Sequence, residues 1–152
     1  MSRATTVKID IEGKKIKVTS PYHPDFPKSA AQIGGRWNGR QWIFDSRDET
    51  RVRDLCFKIY GTDGRPVPLV TVRHQITSEE ARESELYIGG RCVVKRWNRD
   101  SAPRLGVGVI VVEGQFPARG GSRKYPLLQG EGVILEIRDI PRSLVSPEDK
   151  IV

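Results

Sequence analysis

Apolar and polar residues alternate strictly near the start of the chain. Val7, Ile9 and Ile11 are interleaved with Lys8 and Asp10, and beyond Glu12-Gly13-Lys14 the residues Ile16 and Val18 are interleaved with Lys15, Lys17 and Thr19. A period of two with one apolar side predicts a hairpin with one wet face. The stretch Tyr22-His23-Pro24-Asp25-Phe26-Pro27 predicts a helix start, with Pro24 at the first helical position and Pro27 in the turn whose N–H groups lack partners anyway. Phe26, Ala30 and Ile33 then face inward, and Gly34-Gly35 end the helix. Asn38-Gly39 predicts a two-residue type I′ turn that sets Trp37 opposite Arg40. Trp37, Arg40, Trp42 and Phe44 then share one face of that hairpin, and Arg36, Gln41 and Ile43 the other. The aromatic face is either core or a stacking platform beside cations. Ser46 and Glu49 form a capping-box pattern ahead of Val52, Leu55, Cys56, Ile59 and Tyr60, whose spacing predicts an amphipathic helix ending at Gly61.

The pattern changes after the turn-rich residues 61–66. Strands are predicted over residues 67–76, 86–97, 105–113, 124–128 and 132–139, with an acidic loop or single helical turn over 77–85 and a loose tail from Pro147. Gly106 and Gly108 within a strand pattern imply tight curvature or close backbone approach. The predicted fold class is α+β: an N-terminal ββαββα unit over residues 1–62, a small all-β barrel or sandwich over 66–146, and a tail over 147–152. Ile33-Gly34-Gly35-Arg36 is echoed by Ile88-Gly89-Gly90-Arg91, but the flanking periodicities disagree and no repeat is inferred.

Composition adds a direction. The chain has 152 residues, 37% hydrophobic and 30% charged, with a net charge of +7, so it is globular in character and suited to a polyanionic partner. Eight Lys/Arg fall within residues 91–125 against Asp100 and Glu113, nearly the whole excess. Cys56 and Cys92 sit in apolar contexts, and the sequence shows no signal peptide, transit peptide or apolar run of spanning length. The expectation is therefore a reducing cytoplasm and no membrane partner. Neither His23 nor His74 lies near a cysteine at metal-ligand spacing, so no metal is expected. The GxxxxGK[ST] and GxGxxG patterns are both missing, so no cofactor is expected either.

Candidate chemistry concentrates in the second half. Tyr87, Arg91, Lys95 and Trp97 share one strand parity, and Leu86, Ile88, Cys92 and Val94 share the other, which predicts a basic-aromatic strip outside an apolar core. Arg119-Gly120-Gly121-Ser122-Arg123-Lys124-Tyr125 reads as a mobile loop whose glycines expose N–H groups to an anion between cations. The main nucleic-acid surface is therefore expected at Arg91, Lys95, Trp97, Arg119, Arg123 and Lys124, with a secondary one at Arg36, Arg40, Arg47 and Arg51. His23 and His74 are expected in structural roles, and Cys56 as a buried small hydrophobe. No catalytic residue is assigned, since bases and carboxylates do not cluster and no GxSxG signature is present.

Tyr22-His23-Pro24-Asp25-Phe26, the Gly-Gly break, the Arg-Trp turn and Trp42-Ile43-Phe44 leading into a capped helix resemble the HARP module of annealing helicases and its relatives at the front of phage-type helicases. The similarity spans residues 16–60 and rests on Tyr22, Pro24, Trp42 and Phe44. It implies a compact α/β unit that helps engage branched DNA or single-strand/double-strand junctions. These residues include no helicase motor, so ATP-driven annealing does not carry over and a DNA role would be passive or accessory. The second half resembles no nameable family, although small proteins of plasmids and other mobile elements share its general character. The expected function is binding of single-stranded or branched DNA without sequence specificity. One alternative is a protein-interaction adaptor or inhibitor acting on a replication, repair or defence enzyme. A metal-dependent nuclease is a third reading.

Overall fold

The opening alternation folds into the predicted hairpin, β1 (Lys8–Glu12) and β2 (Lys15–Thr19), with Ile16 and Val18 buried and Lys15 exposed. The structure, a computed structural model, describes residues 6–152, so the first five residues of the expected N-terminal unit lie outside it. The hairpin is followed by α1 (Phe26–Gln32), β3 (Arg36–Trp37), β4 (Trp42–Asp45) and α2 (Glu49–Tyr60), giving a sheet in the order β1-β2-β4-β3. Ile16, Val18 and Phe44 from the sheet meet Phe26 and Ala30 from α1 and Val52, Cys56 and Tyr60 from α2 in one hydrophobic cluster.

Two local expectations are corrected. Trp37 pairs with Trp42 and Arg36 with Ile43, so the hairpin loop has four residues, 38–41, and Arg40 sits at its tip rather than opposite Trp37. The reason is the Asn38 side chain, whose Oδ1 accepts from the backbone N–H of Arg40 at 2.9 Å and of Gln41 at 2.7 Å, closing an Asx-type turn in place of a type I′ turn. Trp37, Trp42 and Phe44 still share a face. The capping box does not form either. Asp45 accepts from Arg47 N–H at 2.9 Å and caps a 3₁₀ turn over Ser46–Asp48 that feeds α2, which ends at Gly61 in the left-handed conformation as expected.

The second half is all strands and 3₁₀ turns: β5 (Leu69–Gln75), β6 (Glu85–Ile88), β7 (Arg91–Lys95), β8 (Arg104–Leu105), β9 (Val109–Glu113), β10 (Ile134–Pro141) and β11 (Lys150–Ile151). They form two antiparallel sheets, β11-β5-β10-β9 and β6-β7-β8. Val72, Val93, Val94, Leu135 and Ile137 from both sheets fill a common core, so the α+β class holds for the whole chain. Gly89 and Gly90, at φ 65° and 83°, break the expected 86–97 strand into the β6–β7 hairpin, and a register shift follows Leu86. The strict parity read from the sequence therefore fails. Val93 and Val94 are both buried, with Arg96 beyond them. No strand forms over 124–128, where a single bridge joins Gly121 to Pro126.

The expected loose tail is also corrected, because β11 pairs with β5 and Val152 N–H donates to the Thr71 carbonyl at 2.9 Å. His74 on β5 locks it there. Its Nδ1 lies 2.7 Å from an Asp149 carboxylate oxygen and its Nε2 2.8 Å from Glu80 Oε1, which also accepts from Thr77 N–H. Asp149 keeps only 4% of its side-chain exposure.

The two halves meet where glycine allows it. A Cβ on Gly90 would stand 2.8 Å from Tyr60 Cα and 3.0 Å from the Ile59 carbonyl, so the β6–β7 turn lies against the C-terminal end of α2 only because the side chain is missing. His23 adds an edge contact to Tyr87 across the same junction, at 5.1 Å between ring centroids.

Gly90→Ala is expected to cost about 2 kcal/mol or more in urea unfolding, through strain at positive φ plus overpacking. Gly34→Ala, at φ 83° with open space around the added Cβ, should cost only the strain, about 1 kcal/mol. A second prediction concerns pH. Burial pushes the His74 imidazolium toward losing its proton, but the hydrogen bonds and charges of Asp149 and Glu80 outweigh it and hold the pKa above the ordinary 6.5. The stabilisation is complete below the unfolded value and lost as pH rises through the folded one. Hydrogen exchange at Val152 should therefore show falling protection, beyond the intrinsic rate increase, from neutral into mildly alkaline buffer, and His74→Gln should remove that dependence.

Candidate nucleic-acid interface

Residues 114–133 run between β9 and β10 without a strand of their own, so their backbone carbonyls need partners from elsewhere. Arg96 supplies them. Just past β7 its side chain turns inward, and at 1% exposure it is the largest fully buried side chain among the described residues. Its Nε donates to the Leu127 carbonyl at 2.5 Å, Nη1 to Ser101 at 2.6 Å, and Nη2 to Leu128 at 2.8 Å and Pro117 at 3.1 Å. One guanidinium thus ties the 96–103 loop to two points of the long connection. No carboxylate pairs with Arg96 among the described residues. Its charge is met by carbonyl dipoles alone, and a buried charge is screened weakly by salt.

Gly120 packs directly on this guanidinium, since an added Cβ would stand 2.8 Å from Arg96 Nε, and its N–H donates to the Arg99 carbonyl at 3.0 Å. Ser122 N–H is likewise bonded to the Tyr125 carbonyl at 2.9 Å. The expectation of glycine N–H groups held open to an anion is therefore corrected at Gly120, whose N–H is spent on the Arg99 carbonyl. What the loop presents outward is side chains. Arg99 and Arg119 both bond to Asp100, at 3.1 Å and 2.9 Å, and edge an open depression of about 540 Å³ floored by Pro117, Gly120 and Gly121. The hydrogen bond from Arg99 and then that from Arg119 hold the Asp100 carboxyl below its ordinary range, so the trio keeps one net positive charge.

Trp97 follows the hub and is 67% exposed. The Lys95 ammonium sits 3.9 Å from its ring centroid while also pairing with Glu85 at 3.4 Å. Tyr125, 63% exposed, carries Lys124 over its ring at 5.5 Å, and Arg123 is exposed in the same turn. Of the residues expected at the main surface, Lys95 and Trp97 stand together and Arg119, Arg123 and Lys124 lie along the braced loops. Arg91 does not join them. Its guanidinium donates to the carbonyls of Arg138 at 2.7 Å, Asp139 at 3.0 Å and Val107 at 3.3 Å, sewing the β10 bulge to the start of β9. Sequence reasoning passed over Arg96, Arg99 and Tyr125. The usable signal for Arg96 was a cation whose two neighbours on the chain already supply a lysine and a tryptophan to the surface.

The secondary set divides too. Arg47 and Arg51 are exposed on the α2 approach, 3.9 Å and 4.0 Å from Asp45 and Asp48, and so are partly neutralised. Arg36 and Arg40 are exposed on the Trp hairpin and make no ion pair among the described residues. Beside them an aromatic pocket of about 390 Å³ is lined by Tyr22, His23, Phe26, Trp37, Trp42 and Tyr60, with prolines between. A separate cleft of about 690 Å³ between the halves holds both histidines, Lys28 and Lys58. His74 spends both ring nitrogens on carboxylates there. Burial lowers the His23 pKa, and its Nδ1 accepts from Asp25 N–H at 3.1 Å. Cys56 is fully buried and its thiol is pushed up to about 12 by burial. Among the described residues no helix is long and apolar enough to cross a membrane.

No protein-family model, curated protein or solved structure matches this chain.

Replacing Arg96 with Met should strand the carbonyls it serves and cost about 3 kcal/mol or more in urea unfolding. Arg96→Lys, with the charge kept but no fork, should recover only a minor part; full recovery would show that charge rather than the fork geometry holds the loops.

Proposed function

We propose that the protein binds nucleic acid, probing a single strand or a branched DNA through phosphate neutralisation and base stacking with little sequence preference. The observation that carries this reading is Trp97, an indole 67% exposed with a lysine ammonium at 3.9 Å, one residue past the Arg96 guanidinium that ties down the loops bearing Arg99 and Arg119. Flat exposed rings among cations suit a strand whose bases stack and whose phosphates are neutralised, and stacking tolerates any base. Rigid bracing of the loops favours binding, since less ordering entropy is lost on contact. The resemblance of residues 16–60 to HARP modules points the same way.

A second reading, a protein-interaction adaptor, draws on β9. This edge strand exposes Ile110 and Val112 on its outer side, with Val107 ahead of it, and such an edge can pair with another chain. The two readings separate in solution. Polarisation titrations with single-strand, duplex and forked DNA should show affinity falling log-linearly with salt, at a slope of about −2 to −3 if a few phosphates are neutralised. Trp97→Ala should weaken binding by about 1–3 kcal/mol at fixed salt. No DNA binding at low salt, or binding indifferent to both salt and Trp97, would exclude this interface and favour the adaptor.

A further inference from the structure

We infer that the aromatic pocket at the Trp hairpin is a binding site for one unstacked nucleobase, held edge-in between the rims formed by Tyr22 and Trp37. The walls are flat rings at well-defined angles. Phe26 meets the edge of Trp42 at 6.0 Å and the ring of Tyr60 at 5.3 Å, while Trp37 lies tilted by 51° against Trp42 at 5.6 Å. The inner rings, Phe26 and Tyr60, are buried and belong to the N-terminal core, so the pocket floor is rigid. The rim rings are not core: Tyr22 is 66% exposed and Trp37 55%, a large cost in uncovered apolar surface for a sheet edge. A cleft of about 390 Å³ falls in the range of small-molecule sites and is too small for more than a base and its sugar.

The chemistry of the lining selects the occupant. The polar atoms at its floor are used internally: Tyr60 Oη donates to the Pro21 carbonyl at 2.7 Å and accepts from Ser20 Oγ at 3.3 Å, and His23 Nδ1 accepts from Asp25 N–H. No carboxylate lines the pocket, so a cationic guest such as a methylated lysine would be held by cation–π attraction alone, against the repulsion of the unpaired Arg36 and Arg40 on the same hairpin. Buried beside Tyr60 and Tyr87, the His23 ring has its pKa lowered and adds a neutral ring at pH 7. A planar, neutral, polarisable guest is what such walls stabilise. Charge outside the pocket completes the match. Arg40 at the hairpin tip and Arg36 on the β3 face opposite Trp37 make no ion pair among the described residues, so the hairpin that carries the rim of the pocket also carries two unneutralised cations. The hairpin loop is tied to the end of β2 by Gln41, whose Nε2 donates to Thr19 Oγ1 at 2.8 Å. The site is separate from the Trp97 surface, and it rests on the nucleic-acid reading only for the source of the base. Proline-rich peptides also dock on aromatic-proline grooves, but the unpaired cations favour a polyanion.

The test uses the full chain carrying Trp97→Phe, so that indole fluorescence reports Trp37 and Trp42 alone. It is titrated with a single-strand oligonucleotide, with an abasic oligonucleotide of equal length and charge, with a free nucleoside, and with a proline-rich peptide. The base-bearing strand and the nucleoside should quench, and the abasic strand should bind at least about tenfold more weakly with little quenching. Tyr22→Ala should reduce affinity for the base-bearing strand by about fivefold or more and leave the abasic strand unaffected. Trp37→Ala, read by polarisation, should do the same with an unchanged unfolding midpoint. Quenching by the peptide but not the nucleoside, or indifference to both substitutions, would overturn the pocket while leaving the Trp97 interface standing, whereas equal binding of the two strands would overturn base stacking at both. Failure of every strand to bind alongside quenching by the nucleoside would retain the pocket and discard the wider reading.

Discussion

A backbone carbonyl buried without a donor costs more than most single contacts return, and residues 114–133 would bury several of them if nothing reached in. The Arg96 guanidinium is the answer this chain uses. Its planar fork can address carbonyls from Ser101, Pro117, Leu127 and Leu128 together, which an ammonium on a flexible stem cannot do. Around that point Gly120 must be a glycine, Ser84 Oγ donates to the Pro126 carbonyl, and Leu128 N–H donates to the Glu83 carbonyl, so the long connection closes over the β6–β7–β8 sheet as part of the core rather than as a loose flap. Leu128 is itself fully buried.

The same constraint shapes the surface. Because the loops are pinned from beneath, Arg99 and Arg119 converge on Asp100, while Trp97 just past β7 carries Lys95 over its ring. Neutralisation is uneven across the molecule. Arg53, Arg73 and Arg47 face carboxylates within 4.0 Å and serve the fold or lose much of their field, whereas Arg36, Arg40, Arg123 and Lys124 stand exposed without an ion pair among the described residues. Arg91 shows why a basic residue in a basic segment is no guide to its task, since its donors are consumed by the carbonyls around the Asp139 bulge, where φ is 58°.

The two hydrophobic clusters are distinct, one filled from residues 7–60 and the other from 72–140, yet they are not independent bodies joined by a string. Tyr60 contributes to the first and is touched by the Gly90 turn of the second, while Gly61 packs on Pro141 and Leu144. The cleft between them collects His23 and His74, which far-separated sequence positions concealed. Rings and cations from both halves are thus carried on a common frame.

Local pattern alone was enough for much of the architecture: the β1–β2 hairpin, the two helices with Phe26, Ala30, Val52, Cys56 and Tyr60 inward, the left-handed cap at Gly61 and the change to strands beyond it all follow from side-chain period and backbone freedom, which act between neighbours. Tertiary structure decided the rest. Asn38 chose a four-residue loop by using its side chain as an acceptor, Gly89-Gly90 split a strand and shifted its parity, His74 captured a tail that looked loose, and Arg96 left the surface because carbonyls distant in sequence needed a donor. In the last two, a polar group is satisfied by partners tens of residues away, and no window along the chain contains both. The sequence therefore determined the first hairpin, the two helices and the basic segments, and the folded chain alone decided where several later strands break or form, which cations face solvent and which hold it together.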